Sequence, residues 1–258
     1  MEHTKDSRRY NRTNRKIKMA NIVITEQVYQ DHPQIQVVRD CLELAKDAVS
    51  GIPPYSLEIP GMSGIVYRRF INNYVRTLAN PRYLEIGTFQ GSTLCAAIGG
   101  IDNVYAIAVD NYSESYPHYT STPEENCKRN IDLVKTSTSE VQLLNQSFEE
   151  FKPEDFGPFN VYMYDGWHEE DSQFLGITKV APCLDDISLV VVDDWNDHGL
   201  GVEYNGVMYG SNEKAGTYRA FDQVGLEILY KFEVETGENP MFPSDWHNGY
   251  GVFLVRKI

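Results

Sequence analysis

The 258-residue chain is expected to fold as a doubly wound α/β domain, with a mostly parallel seven-stranded sheet and an N-terminal helical appendage. Three observations lead there. Continuously apolar short segments alternate with amphipathic ones from residue 82 onward, the pattern of parallel strands buried on both faces by helices. The length and an apolar content of 41% suit one full core rather than two enzyme domains. The apolar segments also end, one after another, on polar residues suited to a ligand crevice.

The first 20 residues carry seven basic and two acidic side chains and no hydrophobic run, and read as a basic, disordered tail. A short extended piece is expected at 21–28. Residues 33–49 carry Ile35, Val38, Leu42, Ala45 and Val49 at helical spacing, with Pro33 suited to the first turn and Gly51-Ile52-Pro53 as the stop. A second helix is expected over 64–79, from the stripe Val66, Phe70, Tyr74 and Leu78 up to Asn80-Pro81. Residues 21–80 together form the appendage, and 81–258 the main domain.

Within the main domain, RYLEIG (82–87) is the first strand and runs into a small-residue helix. VYAIAVD (104–110) is the second. Thr122, Pro123 and Glu125 form a capping box opening a helix over 123–134. Strands follow at 141–144, at 159–165 and at 187–194, the last reading ISLVVVDD, with a helix over 169–180 before it. A helix at 213–224 and strands at 226–233 and 251–258 complete the sheet. The stretches 195–212 and 235–250 have no usable period, and their Trp195, Tyr204, Tyr209, Trp246 and Tyr250 offer aromatic faces for a substrate, although most tyrosines in such a chain are structural.

The formal net charge of −14 disfavours nucleic acid and anionic membrane as partners. Cys41, Cys95, Cys127 and Cys183 are too dispersed for a zinc site or a disulfide framework, and no segment suits a membrane span, so a cytoplasmic protein is expected.

Five strand ends carry polar chemistry. EIGTFQGST (85–93) supplies glycines for a sharp turn and a helix N-terminus with free N–H groups, but lacks both the dinucleotide fingerprint and the lysine of a triphosphatase loop. Asp110 ends the next strand 23 residues after Gly87, where a carboxylate can accept hydrogen bonds from a ribose diol.

On these residues the chain resembles the class I S-adenosylmethionine-dependent methyltransferases. The resemblance implies S-adenosylmethionine as cofactor, with Glu85, Gly87, Thr88, Gly91 and Ser92 around its methionine part, Asp110 and Asn111 at the ribose and Ser147 and Phe148 near adenine. Met62 and Ser63, at the start of the second helix, are candidates for a further wall of the cofactor site, and Asp165 for its metal-facing side.

Asp165, Asp193 and Asp194 extend the resemblance to the metal-dependent O-methyltransferases of the catechol and macrocin types, which hold a divalent cation at these strand ends. Three carboxylates in one crevice need a positive charge between them, and without cysteine or paired histidine motifs Mg²⁺ or Mn²⁺ is preferred. The catechol type has a lysine base three residues after its first metal aspartate, where this chain has His168. His168, His198 and Asp193 are therefore the candidate bases. The expected activity is methylation of a hydroxyl on a small metabolite, sugar or phenolic. The alternatives are a metal-independent methyltransferase, a nicotinamide-dependent oxidoreductase, and a non-enzymatic binding or assembly protein on the same scaffold. A homo-oligomer is compatible with all of them, the N-terminal helices being the obvious contact surface.

Overall fold

The computed structural model describes residues 22–113, 121–196, 202–204, 207–209, 211–236 and 246–258. The basic tail and His198 lie outside these residues, as do parts of both late stretches. Along the chain run β1 (Ile22–Val28), α1 (Pro33–Lys46), α2 (Pro54–Leu57), α3 (Ile65–Thr77), β2 (Arg82–Ile86), α4 (Ser92–Ile98), β3 (Tyr105–Asp110) and α5 (Pro123–Val134). They are followed by β4 (Glu140–Asn145), β5 (Phe159–Tyr164), α6 (Glu170–Val180), β6 (Leu184–Val192), β7 (Val202–Tyr204), β8 (Val207–Tyr209), α7 (Asn212–Gln223), β9 (Leu226–Thr236) and β10 (Tyr250–Lys257).

The main sheet has eight strands in the order β1-β9-β10-β6-β5-β2-β3-β4. Strands β4, β3, β2, β5 and β6 are parallel, while β10 runs antiparallel to both β6 and β9. The eighth strand is β1, which pairs antiparallel along β9 from Ile22 opposite Thr236 to Val28 opposite Tyr230. Seven strands were expected; the extended piece before the first helix adds itself to the open edge. β7 and β8 form a separate hairpin that the sequence pattern did not announce.

Two apolar clusters sandwich the sheet. Alternation along β2 and β5 sends Tyr83, Val161 and Met163 to one face and Leu84, Ile86, Tyr162 and Tyr164 to the other. The first face packs against α1, α3, α4 and α5, the second against α6 and α7. In β6, Leu189 to Val192 are wholly buried, each side chain contributing about 1.5–3 kcal/mol of burial, so the continuous apolar run is explained by cover on both sides. Ile35, Val38 and Leu42 of α1 share the first cluster with Leu94 of α4, so residues 22–80 contribute to the same core as the rest of the chain.

The local signals account for the helix ends. Thr122 Oγ1 accepts from the Glu125 N–H at 3.2 Å and Glu125 returns a bond to the Thr122 N–H, the reciprocal cap expected from the sequence. α1 begins with His32 as cap and stops at Lys46, one turn before Val49, because Ala48 adopts a positive φ of 59°. The four cysteines are free, three of them buried, and no helix among the described residues is long and apolar enough to cross a membrane.

Candidate active site

From β2 the chain steps outward through β3 and β4, then returns to the opposite side of β2 as β5. A crevice opens at such a reversal, outside the carboxyl ends of the strands. Hydrogen bonds running one residue past the strands keep the ends level: Gly87 N to Val109 O at 2.9 Å, Asp165 N to Ile86 O at 2.8 Å, Asp193 N to Tyr164 O at 3.0 Å and Gln146 N to Asp110 O at 3.1 Å. Five loops, those after β2, β3, β4, β5 and β6, thus meet around one cavity of about 250 Å³.

Gly87 is required twice over, by a φ of 82° and by a Cβ that would lie 1.6 Å from the Asp165 carbonyl oxygen. This contact presses the loop after β2 against the loop after β5. Asp110 braces the same loop: one oxygen accepts from the N–H groups of Thr88 at 2.9 Å and Phe89 at 2.7 Å, the other from Tyr112 at 2.7 Å. A carboxylate offers about four acceptor positions. Among the described residues three are engaged, so at most one stays open to a ligand hydroxyl.

Of the expected cofactor residues, Met62, Gly87, Asp110, Asn111, Ser147, Phe148 and Asp165 line the cavity. Glu85, Thr88, Gly91, Ser92 and Ser63 are not among its lining residues. Gly91 caps α4 at φ 80°, and a side chain there would run into Cys127 Sγ at 2.9 Å. Glu85 is wholly buried, accepts from Tyr83 Oη at 2.6 Å, and is pushed up to about 8 by desolvation, against the hydrogen bonds that favour its charge. Ser63 Oγ lies 3.2 Å from Ser92 Oγ and accepts from Arg68 Nε at 2.8 Å.

The acidic ends divide differently from expectation. Among the described residues, the side chains whose donor atoms all fall within 4.8 Å of one another are Asp165, His168 and Asp194. Asp193 is outside that set; it is 4% exposed, lines the same cavity, and its Oδ1 is buried without a hydrogen-bond partner among the described residues. Burial raises both Asp165 and Asp193 well above the carboxylate range, with repulsion from Asp193 and Asp194 adding to it at Asp165 and repulsion from Asp194 at Asp193. His168 Nε2 is 3.2 Å from Asp194 Oδ2, and Asn248 Nδ2 donates to Asp194 Oδ1 at 2.7 Å. On the far side of the imidazole, Nδ1 is 3.7 Å from Glu213 Oε1 in the first turn of α7.

Trp195, Trp246 and Tyr250, read from sequence as ligand-facing aromatics, are core residues; Tyr250 stacks on Tyr67 at 3.9 Å between ring centres. The exposed aromatic at the cavity is Trp167, 60% accessible. Sequence reasoning missed its role, together with those of Glu213, His247 and Asn248. Trp167 stood in plain view beside Asp165; the other three come from segments whose approach to the crevice depends on long-range packing.

No protein-family model and no curated protein matches the chain. Among solved structures, it is similar to the cofactor-bound protein Rv0187 from MTB, with 16% identity, a TM-score of 0.50 and coverage of 88% of this chain and 92% of that one. It is also similar to a proposed O-methyltransferase from Klebsiella pneumoniae, with 13% identity, a TM-score of 0.51 and coverage of 88% and 92%. The third is TrmN from Thermus thermophilus, with 13% identity, a TM-score of 0.51 and coverage of 79% of this chain and 52% of that one. Such identities speak to architecture, and strand order, crevice and likeness agree: the chain has the Rossmann-like fold of the class I S-adenosylmethionine-dependent methyltransferases.

Proposed function

We propose that the protein is an S-adenosylmethionine-dependent O-methyltransferase that uses a divalent cation, Mg²⁺ or Mn²⁺, to methylate a hydroxyl of a small metabolite. The observation that carries this reading is the meeting of Asp165, His168 and Asp194, with donor atoms within 4.8 Å, in the same cavity as the Gly87 loop and Asp110. The residues fit both groups. Asp110 keeps one acceptor position for a ribose hydroxyl, Phe148 and Trp167 give apolar faces for a planar base, and Asp193 Oδ1 is buried with no hydrogen-bond partner beside the acidic cluster.

Bound there, the sulfonium cofactor supplies an electrophilic methyl group and the cation lowers the pKa of the acceptor hydroxyl. Asp165 and Asp194 hold the cation, with His168 or Asp193 completing the set. Gly87 and Asp110 fix the cofactor loop, so that acceptor and methyl donor meet in one orientation, the chief requirement of an in-line transfer. Proton acceptance falls to His168 or Asp193, whichever is left uncoordinated; His198 is the third candidate. The half-exposed imidazole reaches the cavity mouth, whereas Asp193 has raised proton affinity from burial beside Asp194. A metal-independent transfer is the second reading, favoured by the raised proton affinity of Asp165 and Asp193, since a proton held there relieves the repulsion without a cation.

Methyl transfer from labelled S-adenosylmethionine to a panel of catechols, sugars and phenols, with and without excess EDTA, tests the proposal. Transfer that stops in chelator supports it. Transfer that continues establishes the metal-independent reading, and a protein that binds no cofactor belongs to the non-enzymatic alternative.

A further inference from the structure

Deepening the cation-dependent reading, on which it rests, we propose that His168 is itself a cation ligand through Nε2, beside Asp165 and Asp194, and that Glu213 orients its imidazole from behind. The centre then prefers Mn²⁺ or a similar transition ion over Mg²⁺.

Donor atoms at ~2.1 Å from one ion lie roughly 3 Å apart at right angles and about 4.2 Å apart when opposite. The 3.2 Å between His168 Nε2 and Asp194 Oδ2 matches the first of these, and the 4.8 Å limit on the whole set needs only a small contraction to meet the second. Asp194 is built to face the ring. Its backbone has φ 50°, breaking the strand alternation after β6, and Asn248 holds its Oδ1 so that Oδ2 is the atom turned to His168. Asp193, its neighbour, is more deeply buried and lines the same cavity without joining the set.

The outer partner follows from α7. Its cap Ser211 donates from Oγ to the Trp195 carbonyl at 3.0 Å and accepts the Lys214 N–H at 3.2 Å, tying the helix start to the segment just beyond Asp194. Glu213, 1% exposed, is thereby fixed 3.7 Å from His168 Nδ1. That is longer than a hydrogen bond, and a ring shift of under about 1 Å by the half-exposed imidazole closes it. A histidine that binds metal through one nitrogen and gives its other N–H to a carboxylate is fixed in tautomer and direction. One imidazole among carboxylates also moves selectivity from Mg²⁺, which favours oxygen alone, toward transition ions. Proton acceptance then passes to Asp193.

Pulsed electron paramagnetic resonance of the full chain loaded with Mn²⁺ reads the ligand directly. Nitrogen coupling from a bound imidazole is expected, to be lost in His168→Gln together with at least tenfold of Mn²⁺ affinity and most of the preference over Mg²⁺. Glu213→Gln should keep the coupling and weaken Mn²⁺ binding by about 10–100-fold. Retained S-adenosylhomocysteine binding verifies that both variants are folded. Bound Mn²⁺ without nitrogen coupling, or coupling that survives His168→Gln, overturns the ligation and leaves the cation-dependent reading intact. Unchanged Mn²⁺ affinity in Glu213→Gln overturns the orienting role, and no Mn²⁺ binding by the parent protein removes the cation from the proposed function and this inference with it.

Discussion

Glu85 shows how one buried group ties the cofactor loop to pH. Its carboxyl is pushed up from 4.5 to about 8, so the folded protein keeps a proton there that the unfolded chain releases. The sign follows: the stabilisation is complete below pH 4.5 and is lost as pH rises toward 8, at up to ~1.4 kcal/mol per pH unit. Glu85→Gln keeps an acceptor for the Tyr83 hydroxyl without the charge. Urea unfolding at pH 5 and pH 8 should show a difference of several kcal/mol in the parent that is clearly smaller in the variant; equal pH dependence would mean that Glu85 ionises without cost. Asp165 and Asp193 are also raised and are present in both proteins; the part of the Asp165 shift that comes from the Glu85 charge is lost with it and belongs to the same effect. Asp110 carries a different load. Asp110→Ala removes three charge-assisted backbone bonds, each worth about 1.5–3 kcal/mol, as well as the proposed ribose acceptor. S-adenosylhomocysteine affinity should fall by tenfold or more in equilibrium dialysis, and an unchanged value would move the adenosine site elsewhere.

Among the elements, the segment between α2 and α3 depends on Arg68. This guanidinium is 3% exposed and its hydrogen bonds go to the carbonyls of Leu57, Ile59 and Gly61 and to Ser63 Oγ, with no carboxylate among them. It staples the wall that ends in Met62 at the cavity. Arg68→Met should cost roughly 2–5 kcal/mol in thermal or urea unfolding, since three carbonyls lose a buried partner; a loss below about 1 kcal/mol would show that water replaces the staple. The elements most legible in the sequence are those fixed by local chemistry. α5 is announced by Thr122, Pro123 and Glu125, and β6 by its unbroken apolar run. The β7 and β8 hairpin and the edge pairing of β1 with β9 are not, because three-residue strands and half-exposed edges carry almost no periodicity. The same limit explains Trp195, Trp246 and Tyr250: an irregular backbone hides which side chains turn inward, and these three proved to be core.

For the molecule as a whole, five parallel strands between two apolar layers form a rigid floor, and all the proposed chemistry lies on the loops at one end of it. Strand ends could be found in sequence because polar residues interrupt apolar runs there, which is why Gly87, Asp110, Asp165 and Asp194 were placed together. Which of two adjacent aspartates turns its carboxylate to His168 could not be found, because it depends on the positive φ of Asp194 and on Asn248, 54 residues away in the chain. The central claim is that this floor carries an S-adenosylmethionine site beside, and separable from, a cation site. Calorimetric titration of the full chain with S-adenosylhomocysteine, once with Mn²⁺ and once in excess EDTA, tests it most directly. The account predicts saturable binding of one molecule per chain in both, with affinities within about threefold, a difference under ~1 kcal/mol. Absence of binding in both titrations would contradict it.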